Sequence, residues 1–77
     1  MKSITITLEM AQRVKDFVAV TQSYEHEVLL KSGKYVVDAK SILGIFSLDL
    51  SKPLVVEVYG DEAASLIRKL KKFEADA

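Results

Sequence analysis

Ser41 lies where the sequence changes from a strand pattern to a helix pattern. It follows the β-branched and aromatic run Tyr35-Val36-Val37 and precedes apolar residues at helical spacing. A serine at such a junction can accept a hydrogen bond from a free amide of the first helical turn. The same amides and the positive end of the helix dipole also favour a phosphate. Ser41 is therefore predicted to be either a helix N-cap or a phosphorylation site.

His26 is the only histidine, and the chain contains no cysteine. It lies in an alternating segment on the face shared with Tyr24, Val28 and Leu30, which predicts a half-buried, hydrogen-bonded histidine in a sheet. A lone histidine without clustered carboxylates gives little support for a metal site, so neither a metal nor a cofactor is expected. The sequence also shows no nucleophile–base pair, phosphate loop or paired carboxylates, and we expect no independent enzyme.

Size and composition predict one globular domain over residues 1–77. The 77 residues are 49% hydrophobic, which is enough for a modest core. Eleven basic and eleven acidic residues cancel, so no overall field attracts nucleic acid or an anionic membrane. The start lacks the apolar core of a signal peptide, and no apolar run approaches the length of a membrane span. A cytoplasmic protein without nucleic-acid or membrane partners is expected.

The first half of the chain predicts a strand, a helix and a hairpin. Residues 2–8 alternate between apolar and polar, and residues 9–20 change to a helical period. Residues 24–38 form a predicted hairpin around the turn 31–34, in which Gly33 can adopt a positive φ. The predicted buried stripe of the helix comprises Ala11, Val14, Phe17, Val18 and Thr21.

The second half predicts a short helix over 41–48, a strand over 54–59 and a final helix that opens at 60–62. Asp61 is the expected N-cap of this last helix, and residues 74–77 are expected to fray. Its predicted stripe comprises Ala63, Leu66, Ile67, Leu70 and Phe73. Because each helix has one apolar stripe, the simplest α+β packing places the helices on one side of a four-stranded antiparallel sheet.

The segment Lys40-Ser41-Ile42-Leu43-Gly44-Ile45-Phe46-Ser47-Leu48 resembles the K-S-I-M-G-V-M-S-L segment of HPr. HPr is the small histidine-containing phosphocarrier of the bacterial sugar phosphotransferase system. The resemblance is good from about Ser23 to Leu48 and, by element order, extends over nearly the whole chain. It implies an HPr-like open-faced β-sandwich of order β-α-β-β-α-β-α, with three helices on one side of the sheet.

The resemblance ends where HPr carries its phosphoryl group. In the family this group sits on a histidine at the start of the first helix, in a G-x-H-A-R-P type loop. Counted back without a gap from Ser23, the histidine position falls on Met10, while Gln12 replaces the arginine and Arg13 the proline. A thioether is not a usable nucleophile toward phosphorus. Met10 is expected to fill space at the helix start, and Arg13 to lie at the surface.

The resemblance also implies a regulatory role for Ser41. The matching serine in HPr of Gram-positive bacteria, and in an HPr-like regulator without the histidine, is phosphorylated by HPr kinase. The phosphoprotein then binds the catabolite control transcription factor. The expected partner-binding patch comprises Ile42, Leu43, Phe46 and Arg13. Asp49 stands where the family usually has glycine.

Three functions are open at this point. The first is a non-catalytic HPr-like regulator of carbon catabolism with a phosphoserine at Ser41, bound by HPr kinase, the catabolite-control transcription factor or phosphotransferase components. The second is a phosphocarrier with a non-standard site, for which His26 is the candidate. The third is a structural or oligomer-forming module that associates through Leu29, Val55 and Tyr59 on the uncovered sheet face. A monomer or weak homodimer is expected.

Overall fold

A four-stranded antiparallel sheet with helices packed on one face forms the frame of the protein. The computed structural model describes residues 1–75. In chain order the elements are β1 (Lys2–Ile6), α1 (Ala11–Gln22), β2 (Val28–Ser32), β3 (Tyr35–Asp38), α2 (Ile42–Phe46), β4 (Leu54–Val58), α3 (Ala63–Leu70) and a 3₁₀ turn (Lys71–Phe73). The strands lie in the order β1-β4-β2-β3. The predicted α+β class and element order are confirmed.

The sheet has one buried face and one open face because its strands alternate in polarity. Ile4 pairs with Val56, Val56 pairs with Leu30, and all three side chains are buried. The next row, in which Thr5 pairs with Val55, is exposed. Since successive side chains of a strand point to opposite faces, the helices cover the first row and leave the second to solvent.

The core joins α1 and α3 across the buried face. Phe17 of α1 and Phe73 after α3 meet edge to face, with ring centroids 5.7 Å apart and an interplanar angle of 85°. Both predicted helix stripes are largely confirmed. Ala11, at the first position of α1, is exposed, and Ile67 is only half-buried. Within the part of the chain that the structure describes, no helix is long and apolar enough to cross a membrane.

Strand β2 begins at Val28, not at Tyr24 as the alternation predicted. Tyr24 turns back after α1, its N–H donating to the carbonyl of Thr21 at 3.1 Å and its hydroxyl donating to the carbonyl of Tyr59. Burial, followed by the nearby carboxylates of which Glu62 is the strongest, raises the pKa of Tyr24 and keeps this donor protonated. His26 consequently lies in a bend outside the sheet and is exposed. The prediction of a half-buried sheet histidine is wrong.

Two predictions at the ends of α3 are also wrong. Glu62, not Asp61, occupies the N-cap position, and its side chain makes no capping hydrogen bond. After the helix the chain does not fray at once. Ala75 donates its N–H to the carbonyl of Thr5 at 3.0 Å, and Glu74 forms a bridge with Ile6. The backbone after α3 gains partners along the edge of β1, which the sequence pattern could not show; residues 76–77 lie outside the described part.

The Phe17–Phe73 contact generates a stability prediction. Phe17→Ala removes a fully buried ring, and truncations of this kind cost about 3–5 kcal/mol. Domains of this size are stable by only about 5 kcal/mol, so urea denaturation should show a largely unfolded variant at low denaturant. Phe17→Leu keeps most of the volume and should remain folded. A loss below about 1 kcal/mol for Phe17→Ala would contradict this account of the core.

Candidate functional site

Ser41 is the N-cap of α2, as predicted. Its backbone is extended, with φ −105° and ψ 111°, and its Oγ accepts a hydrogen bond from the N–H of Gly44 at 3.1 Å. At the other end of the helix, the hydroxyl of Ser47 donates to the carbonyl of Gly44 at 2.5 Å. Helix α2 is only five residues long, so these end contacts satisfy a large share of its otherwise unpaired backbone groups.

The loop that carries Ser41 is held by the end of α1. The hydroxyl of Thr21, fully buried, donates to the carbonyl of Ala39 at 2.8 Å, and the Gln22 amide donates to the carbonyl of Lys40 at 3.1 Å. The Lys40 ammonium in turn donates to the carbonyl of Tyr24 at 2.5 Å. The position of Ser41 is therefore set by residues about twenty positions earlier in the chain. A buried threonine in the α1 stripe was the only sequence signal for this contact.

Gly44 lets α2 lie close against β3. A Cβ atom added at Gly44 would come within 3.3 Å of the Ser41 Oγ and 3.4 Å of the Val37 Cβ. The first distance is tighter than ordinary van der Waals contact, and the second lies at its lower limit. Any side chain at position 44 would therefore press on the cap and contact the strand that precedes it.

Helix α2 presents apolar side chains to solvent. Ile45 is fully buried and attaches the helix to the core. Leu43 is 82% exposed and Phe46 is 45% exposed, and because they are three residues apart they lie on the same side of the helix. Ile42 is half-buried beside them. We call Ile42, Leu43 and Phe46 the α2 patch.

Arg13 is occupied by contacts within the chain. Its Nε and one terminal guanidinium nitrogen donate to the carbonyl of Thr7 at 3.2 Å and 3.0 Å. The guanidinium carbon lies 5.2 Å from the ring centroid of Phe73. Arg13 is half-buried, so the prediction of a simple surface arginine is wrong. Its hydrogen-bond acceptor and its stacking ring lie outside the α2 patch, with which the sequence analysis had grouped it.

Met10 stands at the N-cap position of α1 but does not fill space there. Its side chain makes no capping hydrogen bond and is 65% exposed, while its carbonyl accepts from the N–H groups of Arg13 and Val14. The predicted packing role is wrong because the segment before α1 is held down by Arg13 rather than by Met10. An exposed thioether at a helix start offers neither a phosphoryl acceptor nor a proton to exchange.

His26 packs over Gly60 at the end of β4. A Cβ atom at Gly60, whose φ is +94°, would lie only 2.5 Å from the His26 Cδ2, so a side chain at position 60 would displace the imidazole. The ring also stands edge-on to Tyr24, with centroids 5.7 Å apart. A cleft of about 360 Å³ beside it is lined mainly by acidic and apolar residues: Glu25, Glu27, Val28, Leu29, Asp38 and Lys40.

Other candidates for chemistry are few. Among residues 1–75 no three His, Asp or Glu side chains are grouped so that they could hold a metal ion. Asp49, three residues after the end of α2, accepts hydrogen bonds from the hydroxyl of Ser51 at 2.6 Å and from the N–H of Ser51 at 3.1 Å. These two hydrogen bonds, with a smaller contribution from Lys52, lower the pKa of Asp49 and keep it ionised. The Asp-x-Ser sequence is a turn signal that could have predicted this.

The open-faced sheet and the strand–serine–helix junction define an HPr-like domain. A family model described as "PTS HPr component phosphorylation site" matches residues 3–76, and the chain belongs to the HPr phosphocarrier family of the phosphotransferase system. The solved structure of HPr-C-His from Thermoanaerobacter tengcongensis is similar, with a TM-score of 0.82, 28% identity, and coverage of 94% of this chain and 89% of that one.

A second solved structure, the phosphocarrier protein HPr from Bacillus anthracis str. Ames, has a TM-score of 0.75 over 96% of this chain and 94% of that one. Its identity of 21% makes it a comparison of fold alone. No curated protein matches the chain by sequence. Family membership and fold, as the resemblance implied them, are therefore confirmed.

The Thr21–Ala39 hydrogen bond can be tested by substitution. Thr21→Val keeps the shape of the side chain but removes the donor, which leaves the buried carbonyl of Ala39 without it. We expect a loss of about 1–3 kcal/mol in the free energy of unfolding, measured in urea. Thr21→Ser retains the hydroxyl and should lose only about 1 kcal/mol, the cost of one methyl group. A Thr21→Val variant as stable as the wild type would show that the hydrogen bond does not contribute to stability here.

The environment of Asp49 predicts a pH effect. Ser51→Ala should raise the pKa of Asp49 toward its ordinary value, because it removes the largest cause of the lowering. The stabilisation from a lowered carboxyl pKa is complete above the ordinary value and is lost as the pH falls through the folded-state pKa. The variant should therefore show less acid-side dependence of stability. Carboxyl NMR titration measures the pKa directly, and Ser47→Ala, which leaves Ser51 in place, should not shift it.

Proposed function

We propose that this HPr-family chain is a non-catalytic regulatory protein, phosphorylated on Ser41, that binds partner proteins through the α2 patch. The observation that carries the proposal is the exposure of Leu43 and Phe46 directly after a capping serine. Neighbouring apolar side chains that are exposed in the free protein favour a surface that a partner protein covers on binding. Candidate partners are HPr kinase, a catabolite-control transcription factor and phosphotransferase components, and the proposed location is the cytoplasm.

The first support is the absence of a histidine at the start of α1. The family carries its phosphoryl group there, and the position falls on exposed Met10 in this chain. Arg13, the arginine nearest in sequence, is held by Thr7 and Phe73 and is left out of the proposed contact surface. A protein that cannot carry phosphate at this end can still keep the family's other surface, which is the segment from Lys40 to Leu48.

The second support is the chemistry of the Ser41 side chain. Ser41 is half-buried as a residue, and its Oγ already accepts a hydrogen bond from the N–H of Gly44. Transfer of the γ-phosphoryl group of ATP would form an Oγ–P bond, release ADP and free the hydroxyl proton. The ester would add about −1.5 to −2 charges beside Leu43 and keep oxygen acceptors at the cap. The modification would thus alter what binds the α2 patch more than it alters the fold.

Intact mass after incubation with ATP and HPr kinase tests the modification. We expect one added phosphate on the wild-type protein and none on Ser41→Ala. Ser47→Ala is the matched control, because Ser47 lies at the opposite end of the same helix, and this variant should still gain the phosphate.

A second variant tests the surface in the same assay. Leu43→Glu should slow the modification by about tenfold if Leu43 is an anchor of the contact, since a loss of about 1.4 kcal/mol in binding corresponds to a factor of ten. Val55→Glu, a comparable change on the open sheet face, should not. A folded wild-type protein that gains no phosphate would contradict the proposal and leave Ser41 as a cap alone.

The alternative of a phosphocarrier with a non-standard site depends on His26. The observation in favour of this alternative is that the imidazole is exposed, with 47% of the side-chain surface accessible. Its neighbourhood is acidic, however, with Glu25 3.6 Å from Nε2 and Asp38 and Glu27 lining the same cleft, and these charges repel a phosphoryl donor. We expect no phosphate on His26 after incubation with phosphoenolpyruvate and the upstream enzyme of the system. A phosphate present on the wild type and absent from His26→Ala would replace our proposal.

A further inference from the structure

The two edge strands of the sheet, β1 and β3, differ in whether the chain itself covers their outer side. Along β1, the chain after α3 supplies its own partner, through the Ile6–Glu74 bridge and the bond from the Ala75 N–H to Thr5. Strand β3 is the other edge: it pairs with β2 on one side, and among the described residues no strand pairs with its outer side. Its Tyr35 and Val36 are exposed. An uncovered edge strand with exposed apolar residues is a template for pairing with another strand.

The free backbone groups of β3 can be identified from its pairing with β2. The two strands are joined by the two-residue loop Gly33-Lys34, and the N–H of Ala39 donates to the carbonyl of Val28 at 3.0 Å. Odd-numbered residues from position 35 therefore exchange hydrogen bonds with β2. By alternation, the N–H and C=O of Val36 point away from the sheet, and so does the N–H of Asp38.

We propose that β3 pairs antiparallel with β3 of a second copy of this chain, about a two-fold axis at Val36. In this register Lys34 of each copy lies opposite Asp38 of the other. Among the described residues neither Lys34 nor Asp38 forms an ion pair within its own chain. A two-fold axis at Lys34 or at Asp38 would place like charges opposite each other. Charge complementarity therefore favours a second copy and selects this register.

The side chains of β3 also fit a second copy. Val36 pairs with Lys31, which pairs with Val55 on the open face, so the two copies of Val36 would meet there. Tyr35 would lie opposite Val37 of the partner subunit on the helix side. A groove of about 640 Å³ opens at this edge, lined by the hairpin and by the segment after α2, and it gives the incoming tyrosine ring room. The pairing would join two four-stranded sheets into one of eight strands.

Sedimentation velocity over a dilution series that reaches millimolar concentration tests the proposal. A four-residue strand makes a weak contact, so we expect a reversible dimer that appears only at the upper end of the series. Val36→Pro should abolish it, because proline removes the outward N–H while the ladder to β2 does not use that group. Lys34→Glu should weaken association at least about tenfold by placing like charges opposite each other twice. The double change Lys34→Asp with Asp38→Lys should restore it.

Two matched controls separate this contact from others. Lys2→Glu makes the same charge change on the opposite edge strand, and Val55→Lys places a charge on the open face that stacked sheets would bury. Neither should affect association. The proposal is overturned if the wild type stays monomeric at every concentration. It is overturned in the same way if β3 binds a different protein but never a second copy of this chain. It is also overturned if Lys2→Glu or Val55→Lys weakens the dimer while Lys34→Glu does not.

A crosslinking experiment gives an independent readout, since the chain contains no cysteine. Directly opposed residues of a hydrogen-bonded antiparallel pair have Cα atoms about 5.5 Å apart, within reach of a short bis-maleimide. Val36→Cys should give a covalent dimer much faster than Val55→Cys, the matched exposed valine two strands further in. Equal rates for the two variants would count against a two-fold axis at Val36.

Discussion

The buried hydrogen bond from the Thr21 hydroxyl to the carbonyl of Ala39 is the contact on which the candidate site depends. It joins the last turn of α1 to the loop between β3 and α2, and so positions Ser41 by a residue from another element. Leaving this buried carbonyl without a donor would cost more free energy of folding than a hydrogen bond at the surface contributes. The α2 patch has a defined position because α1 holds the loop before it and Ile45 attaches its underside to the core.

The starts of α1 and α2 differ in their side chains within an HPr-family frame. At the start of α1 the N-cap residue is Met10, and Arg13, three residues later, holds the β1–α1 connection through Thr7. At the start of α2 the cap, the close-packed glycine and the exposed apolar residues are all present. We therefore base the proposed function on recognition around α2.

The sheet edges add a second level of organisation. The chain covers β1 with its own backbone after α3, which satisfies hydrogen-bonding groups that an edge strand would otherwise expose. Strand β3 leads directly into the loop of Ser41, so anything that pairs with β3 will lie next to the α2 segment. Lys34 and Asp38, at the two ends of this edge, give it a polarity that a second copy can match.

The sequence by itself determined the order of the elements, the class of fold and the cap at Ser41, because each depends on local period or on a residue type at a helix start. It could not place Tyr24, whose alternation predicted a strand, because the hydroxyl bond to Tyr59 joins residues far apart in the chain. The contacts of Arg13 and the pairing of Ala75 with Thr5 were likewise decided only by the tertiary structure. Each of these contacts depends on which carbonyl group or aromatic ring is brought within reach when the elements pack together. Hydrophobic periodicity carries no information about that.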